Sequence, residues 1–121
     1  MIDNTALIAL DSFIADHTKV IGSNRVITDR DLAGLFMIDI NQLRKKVKAN
    51  LKRFPCDFML ILSKDESNRY NRAKYAFTEA GLFMLSGLIK TERAAKISIS
   101  MVELFTDRLP GEVFELLKRI G

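Results

Sequence analysis

Two helix-start signals and one proline divide the stretch from Thr28 to Phe58, TDRDLAGLFMIDINQLRKKVKANLKRFPCDF, and this punctuation constrains the chain more than any other feature. Thr28 followed by Asp31 fits the Ser/Thr-x-x-Asp/Glu capping pattern, in which hydroxyl and carboxylate satisfy amide donors that a helix start leaves free. Ile27 and Leu32 stand at the spacing of a hydrophobic staple. The spacing therefore predicts a short helix over Asp29 to Phe36 that buries Leu32, Leu35 and Phe36. Gly34 costs about 1 kcal/mol against alanine in mid-helix, so close approach of a neighbouring helix is its expected use. Asp39 is a good N-cap for a second helix, and Pro55 ends it, because proline disfavours α geometry in the residue before it.

Placed at about 100° per residue, Ile40, Leu43, Val47, Leu51 and Phe54 share an arc of roughly 80°, the core side. Asn41, Arg44, Lys45, Lys48 and Lys52 occupy the opposite arc, with Gln42, Lys46 and Arg53 to one flank. From Arg25 to Arg53 there are eight basic and three acidic residues, a net of +5; the whole chain carries +4, which leaves −1 for the rest. A lysine-rich face is often just a solvated one. Here it coincides with the second helix of a helix-turn-helix-like unit, held by the first across a turn of about three residues. Asn41, Gln42 and Arg44 lie in its first turns, where such helices offer side chains to base edges. Asparagine and glutamine can pair bidentately with adenine and arginine with guanine, whereas lysines mostly meet phosphate. The expected partner is double-stranded DNA, with Lys45, Lys48, Lys52 and Arg53 on its phosphates.

Elsewhere the pattern gives a short helix from Asp3 to Ile14, which could equally be an apolar arm for dimerisation, and a small hairpin around Gly22-Ser23-Asn24. His17, the single histidine, reads as a surface or capping residue. The run Phe58 to Leu62 has strand length and reads as buried, and Cys56 beside it as an inert structural thiol. Ser63 to Lys74 is polar and precedes a second short strand, Tyr75 to Phe77. If the two strands pair, this loop projects like the wing of a winged helix, with Arg69 and Arg72 as its best phosphate contacts; the alternative is a mobile surface loop. Thr78 caps a helix from Glu79 to Ile89 that is apolar almost all round, in which Gly81 and Gly87 permit tight packing. Thr91 starts another, reaching about Asp107, whose second apolar stripe of Ala95, Ile99 and Val102 suits self-association. Pro110-Gly111 then breaks the chain before a last amphipathic helix, Glu112 to Ile120.

With 121 residues and 48% hydrophobic content, one domain is expected over 1–121. One cysteine and the lack of a secretory leader suggest the cytoplasm; no apolar run approaches the ~20 residues that span a bilayer, so no membrane partner is expected. The pI near 9.4 suits a polyanion. Phosphate-loop, dinucleotide-loop, metal-ligand and nucleophile-elbow motifs are all missing, and the carboxylates are dispersed. No enzyme activity, metal, cofactor or small-molecule substrate is expected.

Three blocks, VITDRDLAGLF, LRKKVKANLKRFPCDFML and KYAFTEAGLFMLSGLIKTERAAKISISMVELF, resemble the phage ORF-six N-terminal domain, of the KilA-N-like group of DNA-binding domains. The resemblance runs from about Val20 to Leu109, and its matching positions are Thr28 to Leu32, Val47 to Phe58 and Tyr75 to Gly81. Ala49 stands where a basic residue is usual, and no tryptophan precedes Tyr75. The resemblance implies a small DNA-binding module of phage or prophage origin, often attached to antirepressor or other regulatory proteins. The expected fold class is thus α+β, mostly helical, with a helix-turn-helix-like unit and small β-hairpins in a winged-helix-like arrangement. The expected function is transcription regulation by DNA binding. The competing expectation is an antirepressor-like module that binds a repressor protein or forms a homodimer through its C-terminal apolar surface.

Overall fold

Gly22 supplies the left-handed turn (φ +63°) that a two-residue hairpin loop needs, and the first hairpin closes around it. Its strands are β1 (Lys19–Ile21) and β2 (Asn24–Thr28), in register Lys19 to Val26 and Ile21 to Asn24. The computed structural model describes residues 4–107. Before the hairpin comes α1 (Asn4–His17), and after it α2 (Asp29–Phe36) and α3 (Ile40–Ala49). A 3-10 turn (Leu51–Arg53), β3 (Met59–Ile61), α4 (Lys64–Arg69) and β4 (Tyr75–Phe77) follow, then α5 (Glu79–Leu88) and α6 (Glu92–Asp107). The expected break at Pro110-Gly111 and helix Glu112 to Ile120 lie outside the described residues.

The hairpins are joined into one antiparallel sheet of order β1-β2-β4-β3, with Ile27 opposite Phe77 and Met59 opposite Phe77 from the other side. Successive residues of a strand face opposite sides, and the cores divide accordingly. Ile27, Tyr75 and Phe77 join the main core with α1, α2, α3, α5 and α6; Val26 and Ala76 join a second, smaller cluster with Ile21, Leu62 and Ala73. That second cluster includes residues from the segment between β3 and β4, expected as a projecting or mobile loop. The segment between β3 and β4 contains α4, and Leu62, Tyr70 and Ala73 at its two ends pack onto the sheet.

Caps fall where local chemistry put them. Thr28 accepts from the Asp31 N–H (3.3 Å), Asp39 from the Asn41 N–H (2.8 Å) and Thr78 from the Gly81 N–H (3.3 Å). The Asp31 carboxylate pairs with the Lys19 ammonium at 2.9 Å. Met37 closes α2 in a left-handed conformation (φ 56°), its N–H donating to Gly34 at 3.2 Å, and residues 37–39 join α2 to α3.

Five expectations differ from the structure. The second helix stops at Ala49, because Asn50 leaves helical geometry and its Nδ2 donates to the Lys46 carbonyl at 2.8 Å; Leu51, expected in the core, is exposed. β3 is an edge strand, so Ile61 is 69% exposed. On α5, Leu82 and Leu85 are fully buried but Phe83 is exposed. Of the glycines read as close-approach positions, Gly81 alone is one: a Cβ there would lie 1.9 Å from the Phe58 carbonyl oxygen, whereas at Gly34 and Gly87 it would meet nothing within 4 Å. The apolar residues Leu10 and Ile14 of α1 are buried in the chain's own core, not offered as an arm.

Candidate functional site

The interior of the site is organised by Asp29, which the capping reading treated only as a first-turn residue. Its side chain is 0% exposed. The carboxylate accepts from Arg44 Nε of α3 at 2.9 Å, and from the backbone N–H groups of Lys74 and Tyr75 at 3.3 Å as β4 begins. Several donors converging on one carboxylate make it tolerable in the core. Three elements are thereby tied at one point: the start of α2, the second turn of α3, and the entry to β4.

Arg44 therefore does not stand free at the helix surface, as its place on the wheel had suggested. Its side chain is 22% exposed, and Nη2 donates to the Arg72 carbonyl at 3.1 Å. Asn71 and Arg72 are both left-handed (φ 56° and 63°), and the Arg72 N–H donates to the Ser67 carbonyl at 2.7 Å. The turn is held from both sides. The Arg72 side chain itself is exposed, as is Arg69 at the end of α4.

The remaining candidates divide by element. Asn41, Gln42, Lys45 and Lys48 are exposed on α3, while Lys52 and Arg53 are exposed on the 3-10 turn that follows. Among the described residues no ion pair engages Lys45, Lys46, Lys48, Lys52 or Arg53. Leu43 and Val47, fully buried, fix the opposite side of α3 in the core.

Sequence spacing did not reveal the neighbourhood of Gln42 and Lys46. A groove between α3 and the α5–α6 junction is lined by Ile38, Gln42, Lys45, Lys46, Lys90 and Thr91, among others. Lys90 is exposed and lies 42 residues or more from the α3 lysines in sequence, so no local pattern could have assigned it.

Other groups have ordinary structural surroundings. His17 closes α1, its Nδ1 2.8 Å from the Phe13 carbonyl and its ring stacked on Phe13. Cys56 is exposed. Glu66 completes a capping box with Ser63 at the start of α4; the Ser63 N–H and then its hydroxyl hold the Glu66 carboxyl below its ordinary value, against some desolvation and with a smaller contribution from Arg69. Among the described residues no group of three or more His, Cys, Asp or Glu could hold a metal ion, and no helix is long and apolar enough to cross a membrane.

Fold and site together define a small α+β domain that presents one basic helix, anchored on its apolar side, to solvent. The ORF6N domain matches residues 16–88, more than half of the chain, and the chain belongs to that family, in keeping with its resemblance to the KilA-N-like group. No curated protein and no solved structure matches the chain.

Proposed function

We propose that the chain is a double-stranded DNA-binding regulatory module of phage or prophage type, reading DNA with α3 as the second helix of a helix-turn-helix-like unit. The observation that carries this reading is the free, exposed basic face of α3, backed by a buried apolar side that fixes its orientation. Asn41 and Gln42 would meet base edges. Lys45, Lys48, Lys52 and Arg53 would meet phosphates, with Arg72 and Arg69 beside them. Arg44 leaves the base-reading set, since its guanidinium is already occupied, and becomes a positioning residue.

The test is duplex binding measured across a salt series. With about four to six phosphates neutralised, log K should fall against log salt with a slope of roughly −0.9 per phosphate. Lys48→Ala should weaken all sequences alike and flatten the slope by about one. Asn41→Ala should instead blur preference at one position.

A second reading is supported by a different observation. Phe83, Ile99 and Val102 are exposed large apolar residues that line one shallow groove with Met84 and Gly87, between α5 and α6. Such a strip suits an antirepressor-like module that binds a repressor protein or a second copy. A stable oligomer in a size measurement, together with failure to bind duplex at any salt concentration, would favour it over the first.

A further inference from the structure

A helix lying in the DNA major groove has phosphates on both sides of it. The groove is about 12 Å wide and a helix with its side chains about 10–12 Å across, so the backbones that wall the groove meet whatever flanks the helix. Arg72 already stands on one side of α3, and the opposite side needs a cation of its own if both backbones are to be met.

Both flanks are basic, by unrelated routes. At about 100° per residue, Arg44 sits at one edge of the exposed arc of α3, and Gln42 and Lys46 at the other, with Asn41, Lys45 and Lys48 between them. The Arg44 edge abuts the Asn71-Arg72 turn, because Arg44 Nη2 donates to the Arg72 carbonyl at 3.1 Å. The other edge forms a groove with the α5–α6 junction, where Lys90 joins Lys45 and Lys46. Arg72 and Lys90 are both exposed. Of the nearby acids, Asp29 is buried against Arg44 and Asp31 is paired with Lys19, while Glu92, exposed two residues after Lys90, lies 3.9 Å from Lys96 and Asp39, also exposed, caps the start of α3.

We infer that α3 is seated between two cationic shoulders, Arg72 on one side and Lys90 on the other, which grip the two phosphate backbones bordering a single major groove. This rests on the DNA-binding reading and adds to it a residue, Lys90, and a geometry. Arg44 sets the first shoulder through the backbone of residue 72. The α5–α6 junction sets the second.

The experiment measures affinity for one random duplex over a salt series in the full chain and in Arg72→Gly, Lys90→Ala, their double variant and Arg25→Ala. Glycine at position 72 removes the charge while suiting the left-handed backbone. Arg25, on β2 beside Asp11 and Ile14 of α1, borders neither flank of α3 and serves as the control. Urea midpoints of all variants are taken alongside, so that loss of fold is separated from loss of contact. Each shoulder variant should flatten the salt slope by about 0.9, the double by about twice that, and Arg25→Ala not at all. Steep salt dependence in the parent with an unchanged slope in either shoulder variant would overturn the two-sided seat while leaving the DNA-binding reading standing. A parent that binds no duplex at low salt would remove both.

Discussion

Asp29 shows how one buried charge can define a surface it never reaches. Breaking a buried ion pair by removing one partner costs about 3–5 kcal/mol, because the other charge is left uncompensated. Asp29→Asn should therefore lower unfolding stability by about 3 kcal/mol in urea titration, moderated because Arg44 keeps some contact with water. The asparagine oxygen can still accept from the Lys74 and Tyr75 N–H groups, so Asp29→Asn/Arg44→Met should be less destabilised than Asp29→Asn alone. A double variant less stable than either single would show that the pair is not what holds these elements. None of this was visible in the sequence. Asp29 stands in a capping stretch and Arg44 on a basic wheel face, each with a sufficient local explanation. Their contact crosses fifteen residues and depends on where β4 enters the sheet.

At the scale of elements, the boundaries that were legible are those set within three or four residues. Thr28, Asp39 and Thr78 accept from amides two or three positions on, so their helices start where the caps stand. The same pattern at Ser63 and Glu66 is harder to read, because the helix that it starts has no apolar periodicity to announce it. Acidification tests that cap directly. A carboxylate whose folded pKa is depressed adds stability at pH above its unfolded value and loses it as pH falls through the folded one. The helical Cα shifts of residues 64–69 should therefore decline at acid pH, and Glu66→Gln should remove that dependence. Glycines give a sharper contrast. Gly81→Ala would drive a Cβ into the Phe58 carbonyl and should cost about 3 kcal/mol or more, whereas Gly34→Ala meets open space and should gain up to about 1 kcal/mol. Equal melting temperatures for the two variants would contradict the packing of α5 against the segment before β3.

For the molecule as a whole, the segment 16–88 that matches the family and the unit that closes the core are not the same length. Leu10 and Ile14 of α1, and Ala94, Ile97 and Met101 of α6, belong to the same buried cluster as Leu32, Phe36 and Phe77. The helices α1 and α6 also pack on each other, and Arg93 Nε at the start of α6 donates to the Leu35 carbonyl near the end of α2. Fully burying a Leu, Ile or Met side chain contributes about 1.5–3 kcal/mol, so Leu10, Ile14, Ile97 and Met101 together stabilise the domain by on the order of 8 kcal/mol. A core of about 70–80 residues rarely supplies more than about 3–5 kcal/mol net. A fragment of residues 16–88 should thus lack a cooperative transition in urea when followed by far-UV circular dichroism, and residues 4–107 should recover one. If 16–88 unfolded cooperatively at the midpoint of the longer chain, α1 and α6 would be additions to a finished domain. The second shoulder beside α3 depends on the same point, because Lys90 is placed by the junction that leads into α6.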